Sequence, residues 1–229
     1  MRRHHYKPYL GERGAVSSPA PTTNGITARY ERFSHGGTTW FDLTPTPANA
    51  TDGGTPGFWP NFDGLSWCAI GNPAKLDFAS AFTLCAWAYQ NPDPQIQGGE
   101  YLIGKDDVGT GNRNAGLSSA DNNTQLSGFI FPYQAVQYVA AGGVQHYSAF
   151  VNEGAGGDLL LYVDGILRAT NAGNGANITW LAATPWEFGR RQDATDYLTG
   201  NMDTARFYSR ALSADEILRD YNAGKPVHP

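Results

Sequence analysis

The sequence predicts an all-β sandwich with one short helix near its C-terminus. Three observations carry this. Turn formers are abundant, with 28 Gly and 14 Pro in 229 residues, together about 18 % where roughly 12 % is usual. Aromatic residues reach 13 % while charged residues stop at 16 %, against about 25 % charged in an average domain. That balance excludes a helical bundle, a coiled coil and a disordered chain. Short apolar runs also recur between Gly/Pro/Asn/Asp clusters, and a sandwich of this length forms one domain.

Residues 1–24 read as an extended arm. Ser17-Ser18-Pro19-Ala20-Pro21-Thr22-Thr23-Asn24 has linker composition, with too little apolar surface to offset the entropy of ordering. Such a segment takes its shape from a surface it lies on, most simply another subunit. Ile26–Phe33 alternates Ile26, Ala28 and Tyr30 with polar neighbours, the period of a half-buried strand. Phe82–Tyr89 is almost wholly apolar, as a central strand requires. Leu159–Val163 and Ile166–Thr170 flank Asp164-Gly165, a two-residue hairpin signal, because both central positions favour positive φ. Ala205–Tyr208 reads as a late strand.

The helix follows. Ser213-Ala214-Asp215-Glu216 is a capping box. Ile217, Leu218 and Tyr221 are expected to pack on the body, Gly224 to terminate the helix and Pro226 to block its continuation. The sandwich is thus expected over 25–224, with a tail at 225–229.

Charge is unevenly divided. Residues 1–33 hold six basic and two acidic side chains, whereas the other 196 hold ten basic and nineteen acidic. A basic arm on an acidic body suggests docking onto an acidic protein surface, with Tyr6, Tyr9 and Leu10 as anchors and Arg2, Arg3, Lys7 and Arg13 steering. Nucleic acid is the weaker reading, since the arm's positive footprint is small. The amino terminus lacks the apolar core of a secretory leader. The longest stretch free of Asp, Glu, Lys and Arg, Asn122–Asn152, is broken by Pro132, Gln134, Gln137, Gly142, Gly143 and Gln145, which excludes a helical membrane span. Cys68 and Cys85 are too few for a disulfide framework. One bridge and two buried thiols both remain open, with the thiols favoured.

Read in order, several segments resemble the laminin-G-like domains of the concanavalin A-like jelly-roll superfamily. These are Gly25–Tyr30 with Thr38–Leu43, Phe62-Asp63-Gly64 leading into Trp67–Gly71 and Phe82–Trp87, Leu161–Gly165, and Phe188-Gly189-Arg190. Leu198–Asp203, Ala205–Tyr208 and Arg210–Ser213 complete the series. One segment departs from the family pattern: Val144–Phe150 stands where relatives carry a Trp-His-His run. The resemblance implies two antiparallel sheets packed face to face, with a concave face and loop rim used for ligands. The opening segment, residues 25–76, also looks like laminin-G-like domains of tailed-phage virion proteins.

Fold does not fix activity; the residues must carry it. Glucanase relatives pair carboxylates on one strand, and no Glu-x-Asp-x-Glu-like spacing occurs; the chain is expected not to be an enzyme. Asp106, Asp107 and Asp121 fall in Asp/Asn-rich segments read as loops. They are the candidates for calcium, the one cofactor the sequence suggests, with the turn-forming role of Asp and Asn favoured over it. Asp63 and Asp164 are assigned to turns, and Asp203 to tying down a loop. A glycan site needs an aromatic platform with planar polar groups at its rim. Trp180, Trp186, Arg190, Arg191, Gln192 and Asp193 supply that composition, with packing the favoured use of both tryptophans. Trp67 and Trp87 are assigned to the core. Three N-x-T sequons, at Asn49, Asn122 and Asn177, are expected by chance in such a chain.

The resulting expectation is a non-enzymatic structural protein of a bacteriophage particle, of capsid-decoration (cement) or head-fibre type. It would be made in the host cytoplasm and carried on the virion surface. Its partners would be the major capsid protein or neighbouring copies, and it would form a homo-oligomer on the particle. The alternative is a carbohydrate-binding lectin module, secreted or assisting host adsorption. Neither reading involves nucleic acid or a membrane.

Overall fold

The computed structural model describes residues 23–31, 35–36, 39–40, 42–53, 61–91, 99–107, 112–120, 124–132, 134–140, 142–181, 183–192 and 196–225. The anchoring residues of the arm, Arg2 to Arg13, therefore lie outside the described residues, as do Asp121 and Asp193.

Two antiparallel sheets form the sandwich. The seven-stranded sheet holds β1 (Ile26–Glu31), β5 (Asn61–Asp63), β7 (Phe82–Gln90), β12 (Gln145–Asn152), β13 (Leu159–Val163), β14 (Ile166–Asn171) and β16 (Thr199–Tyr208). Its order is β1-β16-β7-β12-β13-β14, with β5 also paired to β16. The nine-stranded sheet holds β2 (His35–Gly36), β3 (Thr39–Trp40), β4 (Ala50–Gly53), β6 (Trp67–Gly71) and β8 (Tyr101–Asp107). It continues with β9 (Asn112–Ala120), β10 (Gln125–Ile130), β11 (Gln134–Val139) and β15 (Trp186–Phe188). Its order is β11-β10-β9-β8-β15-β6-β4-β3-β2. β8 to β11 and β12 to β14 run as meanders within one sheet each, while the connections of β1, β5, β7 and β16 cross between the sheets to close the sandwich.

Burial follows from the two-residue period. On β7, Phe82, Leu84, Ala86 and Ala88 face the other sheet, while Cys85 and Trp87 belong to a second cluster on the outer face. That second cluster is roofed by α1 (Ala214–Gly224). A strand covered on both sides must be apolar throughout, which is why Phe82–Tyr89 reads as a continuous run. The two cysteines are free and lie in different sheets: Cys68 points into the inter-sheet core, Cys85 outward beneath the helix. The Asp164-Gly165 turn has φ of 54° and 77°, the left-handed pair of a type I′ hairpin. Asp164 also accepts from the Tyr147 amide at 3.0 Å and bonds His146 Nδ1 at 2.8 Å.

The capping box forms: Ser213 Oγ accepts from the Glu216 amide and the Glu216 carboxylate from the Ser213 amide. Two helix expectations are corrected. The buried side is Ile217, Asp220 and Gly224 with Tyr221 half-buried, an i, i+3, i+4, i+7 stripe, so Leu218 lies at its margin, 43 % exposed and against the hairpin tip at Gly165. Gly224 does not end the helix by a left-handed turn, because Lys225 after it is still right-handed. It is instead the point of contact: a Cβ there would lie 2.2 Å from Trp87 Nε1. Strand β16 also starts earlier than the expected Ala205. Its polar first residues Thr199–Asn201 are held by pairing with β5 and β7, which composition does not signal.

Candidate functional site

The candidate site lies on the outer face of the nine-stranded sheet, where β6, β8 and β15 meet the segment that follows β15. Alternation on β15 sends Trp186 and Phe188 into the core and Glu187 outward. Gly189 then takes φ 77°, where a Cβ would stand 2.3 Å from the Phe62 ring. This sharp turn folds Arg190 back over the sheet.

Arg190 grips Glu187 with two parallel bonds, Nε to Oε2 at 2.8 Å and Nη2 to Oε1 at 2.9 Å. Its guanidinium carbon sits 3.6 Å from the centroid of the Trp67 ring, and Trp67 meets Tyr197 edge-on at 6.2 Å. Burial alone would weaken the arginine's charge, but the bonds to Glu187 and Tyr197 outweigh it and hold its pKa above the usual value. Alongside, Tyr101 donates its hydroxyl to Asp106 Oδ2 at 2.6 Å and contacts Phe129 edge-on at 5.7 Å. Arg191 pairs with Asp196 at 2.6 Å, 6.0 Å from the Tyr101 ring centre. The Tyr101 amide donates to the Asp196 carbonyl and the Gln192 amide to the Asp106 carbonyl, so the segment is stitched to β8. The result is a rigid array of planar groups in which each arginine already has a carboxylate partner.

Of the sequence-derived candidates, Arg190, Arg191 and Gln192 come together here. Trp180 and Trp186 do not: both pack, as favoured for them, so the aromatic platform that would have joined them to these residues is absent. Trp186 is fully buried between the sheets, and Trp180 packs on Phe78 and Phe82 while donating Nε1–H to the Phe78 carbonyl at 2.8 Å. Large rings in a sandwich are worth more as core than as rim. Trp67, assigned to the core, is instead half-buried on the outer face, since burial on β6 alternates in favour of Cys68 and Ile70. Trp87 is buried, but in the cluster beneath the helix. Sequence reasoning also missed Tyr101 and Glu187. The alternation Trp-Glu-Phe on β15 was the one local signal available for Glu187.

The calcium candidates fare differently from expectation. Lys105–Asp107 and Asn112–Asn114 are not loop but the paired ends of β8 and β9. Asp106 is buried with its carboxylate on Tyr101, and of Asp107 only the strand position is described. Among the described residues no group of three or more His, Cys, Asp or Glu could hold a metal ion. Asp63 serves a turn, accepting from the amides of Leu65 and Ser66, and Asp203 accepts from Gln145 at 2.8 Å. No helix among the described residues is long and apolar enough to cross a membrane.

Comparison with known proteins agrees with this architecture. No curated protein sequence matches the chain. Among solved structures it is similar to HCR/D-Sa-GBL1/C, with a TM-score of 0.67 at 12 % identity over 87 % of this chain and 52 % of that one. A botulinum neurotoxin type C structure, from work in which cell entry depends upon interaction with two ganglioside molecules, gives 0.63 at 14 % over 87 % and 51 %. A Trypanosoma rangeli sialidase in complex with 2,3-difluorosialic acid gives 0.64 at 19 % over 89 % and 34 %. The chain spans about half the length of the neurotoxin chains it matches, and likeness at such identities speaks for the fold alone. The model of the concanavalin A-like lectin/glucanases superfamily matches residues 62–218, and the chain belongs to that family.

Proposed function

We propose that this chain is a non-enzymatic attachment and display protein of a bacteriophage particle, of capsid-decoration or head-fibre type. Its sandwich is the displayed body and its basic N-terminal segment the tether. The observation that carries this reading is the charge division: four basic against one acidic residue in 1–24, twelve against twenty in the rest. Opposite signs on tether and body favour insertion of the tether between acidic neighbours while the bodies repel one another. The mutual pairing of Arg190 with Glu187, Arg191 with Asp196 and Tyr101 with Asp106 supports a rigid scaffold over a turnover site, where groups with displaced pKa values await substrate. Deleting residues 2–20 tests it. The body should keep its melting temperature and lose cosedimentation with the phage particles that carry the protein. Undiminished cosedimentation would defeat the tether.

A second reading, carbohydrate recognition, is favoured by one observation. Trp67, Arg190, Glu187 and Tyr197 place aromatic edges beside a bidentate arginine–carboxylate pair on an outer face, the composition of a sugar subsite. Family membership supports it. Saturation-transfer NMR with ganglioside-type oligosaccharides should show contacts that Arg190→Ala abolishes. Silence at millimolar sugar would remove this reading and leave the first intact.

A further inference from the structure

Helix α1 roofs the outer face of the seven-stranded sheet but leaves its last strand open. Strand β14 pairs with β13 alone in the described sheet, and Ile166 and Leu167 are 52 % and 46 % exposed. Leu167 stands opposite Tyr162, whose ring lies in the cluster beneath the helix, and half-buried Leu160 packs on the same cluster. The helix supplies the other wall. Leu218 Cδ1 and Tyr221 Cδ1 lie 2.9 and 3.0 Å from where a Cβ on Gly165 would be, so α1 meets the hairpin tip there. Together Leu160, Tyr162, Leu167, Leu218 and Tyr221 line an apolar strip along an edge strand. Among the described residues β14, Ile-Leu-Arg-Ala-Thr-Asn, has no Pro and no Lys, and its protection is confined to one bulge, where Arg168 stands as the extra residue opposite Leu161 and Tyr162. Its one charge, Arg168, turns toward the other sheet, 5.3 Å from the Tyr138 ring centre. An edge strand beside exposed apolar side chains is the arrangement that accepts an extended peptide as an added strand.

We propose that the N-terminal segment of a second copy of this chain, residues 2–13, docks along β14 and the Leu218 wall, linking displayed bodies into an array. The proposal rests on the tether reading. Three features select this occupant. The described chain begins at Thr23, and Arg210 Nε holds the Asn24 carbonyl at 2.9 Å while its guanidinium grips Glu216 in the first turn of α1. The segment therefore leaves the body at the start of the same helix that walls the strip. Twenty-two residues precede Thr23, a reach on the order of 70 Å if extended, enough to cross to a neighbour. Its chemistry also suits the strip: Tyr6, Tyr9 and Leu10 match the apolar lining, while Arg2, Arg3, Lys7 and Arg13 against Glu12 match a body with excess acid. Pro8 is tolerated because a strand added at an edge has one free side.

Sedimentation velocity of the full chain tests this, beside the 2–20 deletion and Leu218→Asp, a change at an exposed site that should leave the melting temperature within a degree or two. The full chain should self-associate and both variants should run as monomers, with association at least ten-fold weaker. With a photoreactive benzoyl-phenylalanine in place of Tyr9, cross-links should join two chains through peptides containing Leu167 or Leu218. Association that survives the deletion, a full chain that stays monomeric throughout, or cross-links confined within one chain would each overturn the docking. Particle cosedimentation separates this from the parent reading. If Leu218→Asp keeps both self-association and particle binding while the deletion loses particle binding, the strip is not the dock and the tether stands.

Discussion

Trp67 and Trp186 look alike in sequence yet occupy opposite kinds of site, and the difference sets what each change should do. Trp186 is fully enclosed, with Phe207 edge-on at 5.2 Å and Trp180 at 5.5 Å. Trp186→Ala should cost about 3–5 kcal/mol, read as a large fall in the urea midpoint. Trp67 keeps one side in solvent, so Trp67→Ala should destabilise far less while freeing Arg190 from its stacking partner. A second residue-level prediction concerns acid. Glu216 is held down at about 2, chiefly by the Arg210 guanidinium and against a small burial effect, with the Ser213 amide adding to it. A carboxyl depressed on folding contributes stability that is complete above its unfolded pKa near 4.5 and is lost as pH falls toward 2. Asp42 acts in the same direction: burial opposes its ionisation, but Lys75 and the amides of Arg29, Ala48 and Thr44 hold it below the usual value. Melting temperature should therefore decline steeply between pH 4.5 and 2. Glu216→Gln should flatten part of that decline while lowering stability at pH 7; an unchanged profile would remove Glu216 from the account.

At the scale of elements, α1 shows how a correct prediction arrives for an incomplete reason. Its start was legible because a capping box is local chemistry written in four consecutive residues. Its packing side was not, because Leu218 and Tyr221 are equally apolar and only the position of the sheet decides which is covered. Gly224 shows the same limit. Tyr221 stacks on Trp87 with ring centres 5.5 Å apart, and the helix comes so close that residue 224 has no room for a methyl group. Gly224→Ala should raise helix propensity by about 1 kcal/mol yet destabilise the protein by a net 1–3 kcal/mol through overpacking. A neutral or stabilising result in thermal unfolding would show that the helix shifts freely on the sheet. The hairpin at Asp164-Gly165 and the strand β7 were legible for complementary reasons: a backbone conformation that selects residue types, and burial on both faces that excludes polar ones. The candidate site was only half legible. Arg190, Arg191 and Gln192 are adjacent in sequence and mark a polar rim, but Trp67 and Tyr101 reach them through sheet neighbours far apart along the chain.

For the whole molecule, the position of β1 decides where the body begins. β1 closes one edge of the seven-stranded sheet by pairing with β16 from Ile26↔Tyr208 to Glu31↔Thr204. Tyr30 at its centre is fully buried against Phe188 and Phe207. The preceding turn is fixed as well, since Ser209 donates to the Gly25 carbonyl at 2.9 Å and Arg210 holds the Asn24 carbonyl. Tether and body therefore meet near residue 23, and truncation should have a sharp threshold there. A chain starting at Thr23 should unfold cooperatively at nearly the full-length midpoint. One starting at Glu31 loses Ala28 and Tyr30 from the core and leaves β16 unpaired on that side from Ala205 to Tyr208. It should be several kcal/mol less stable, since losing a buried aromatic alone costs about 3–5 kcal/mol, and it should aggregate through the newly exposed edge. Urea titrations of the two truncated chains would separate these outcomes. If both chains matched the full-length midpoint, β1 would belong functionally to the tether, and the junction near residue 23 would no longer mark a body distinct from its anchor.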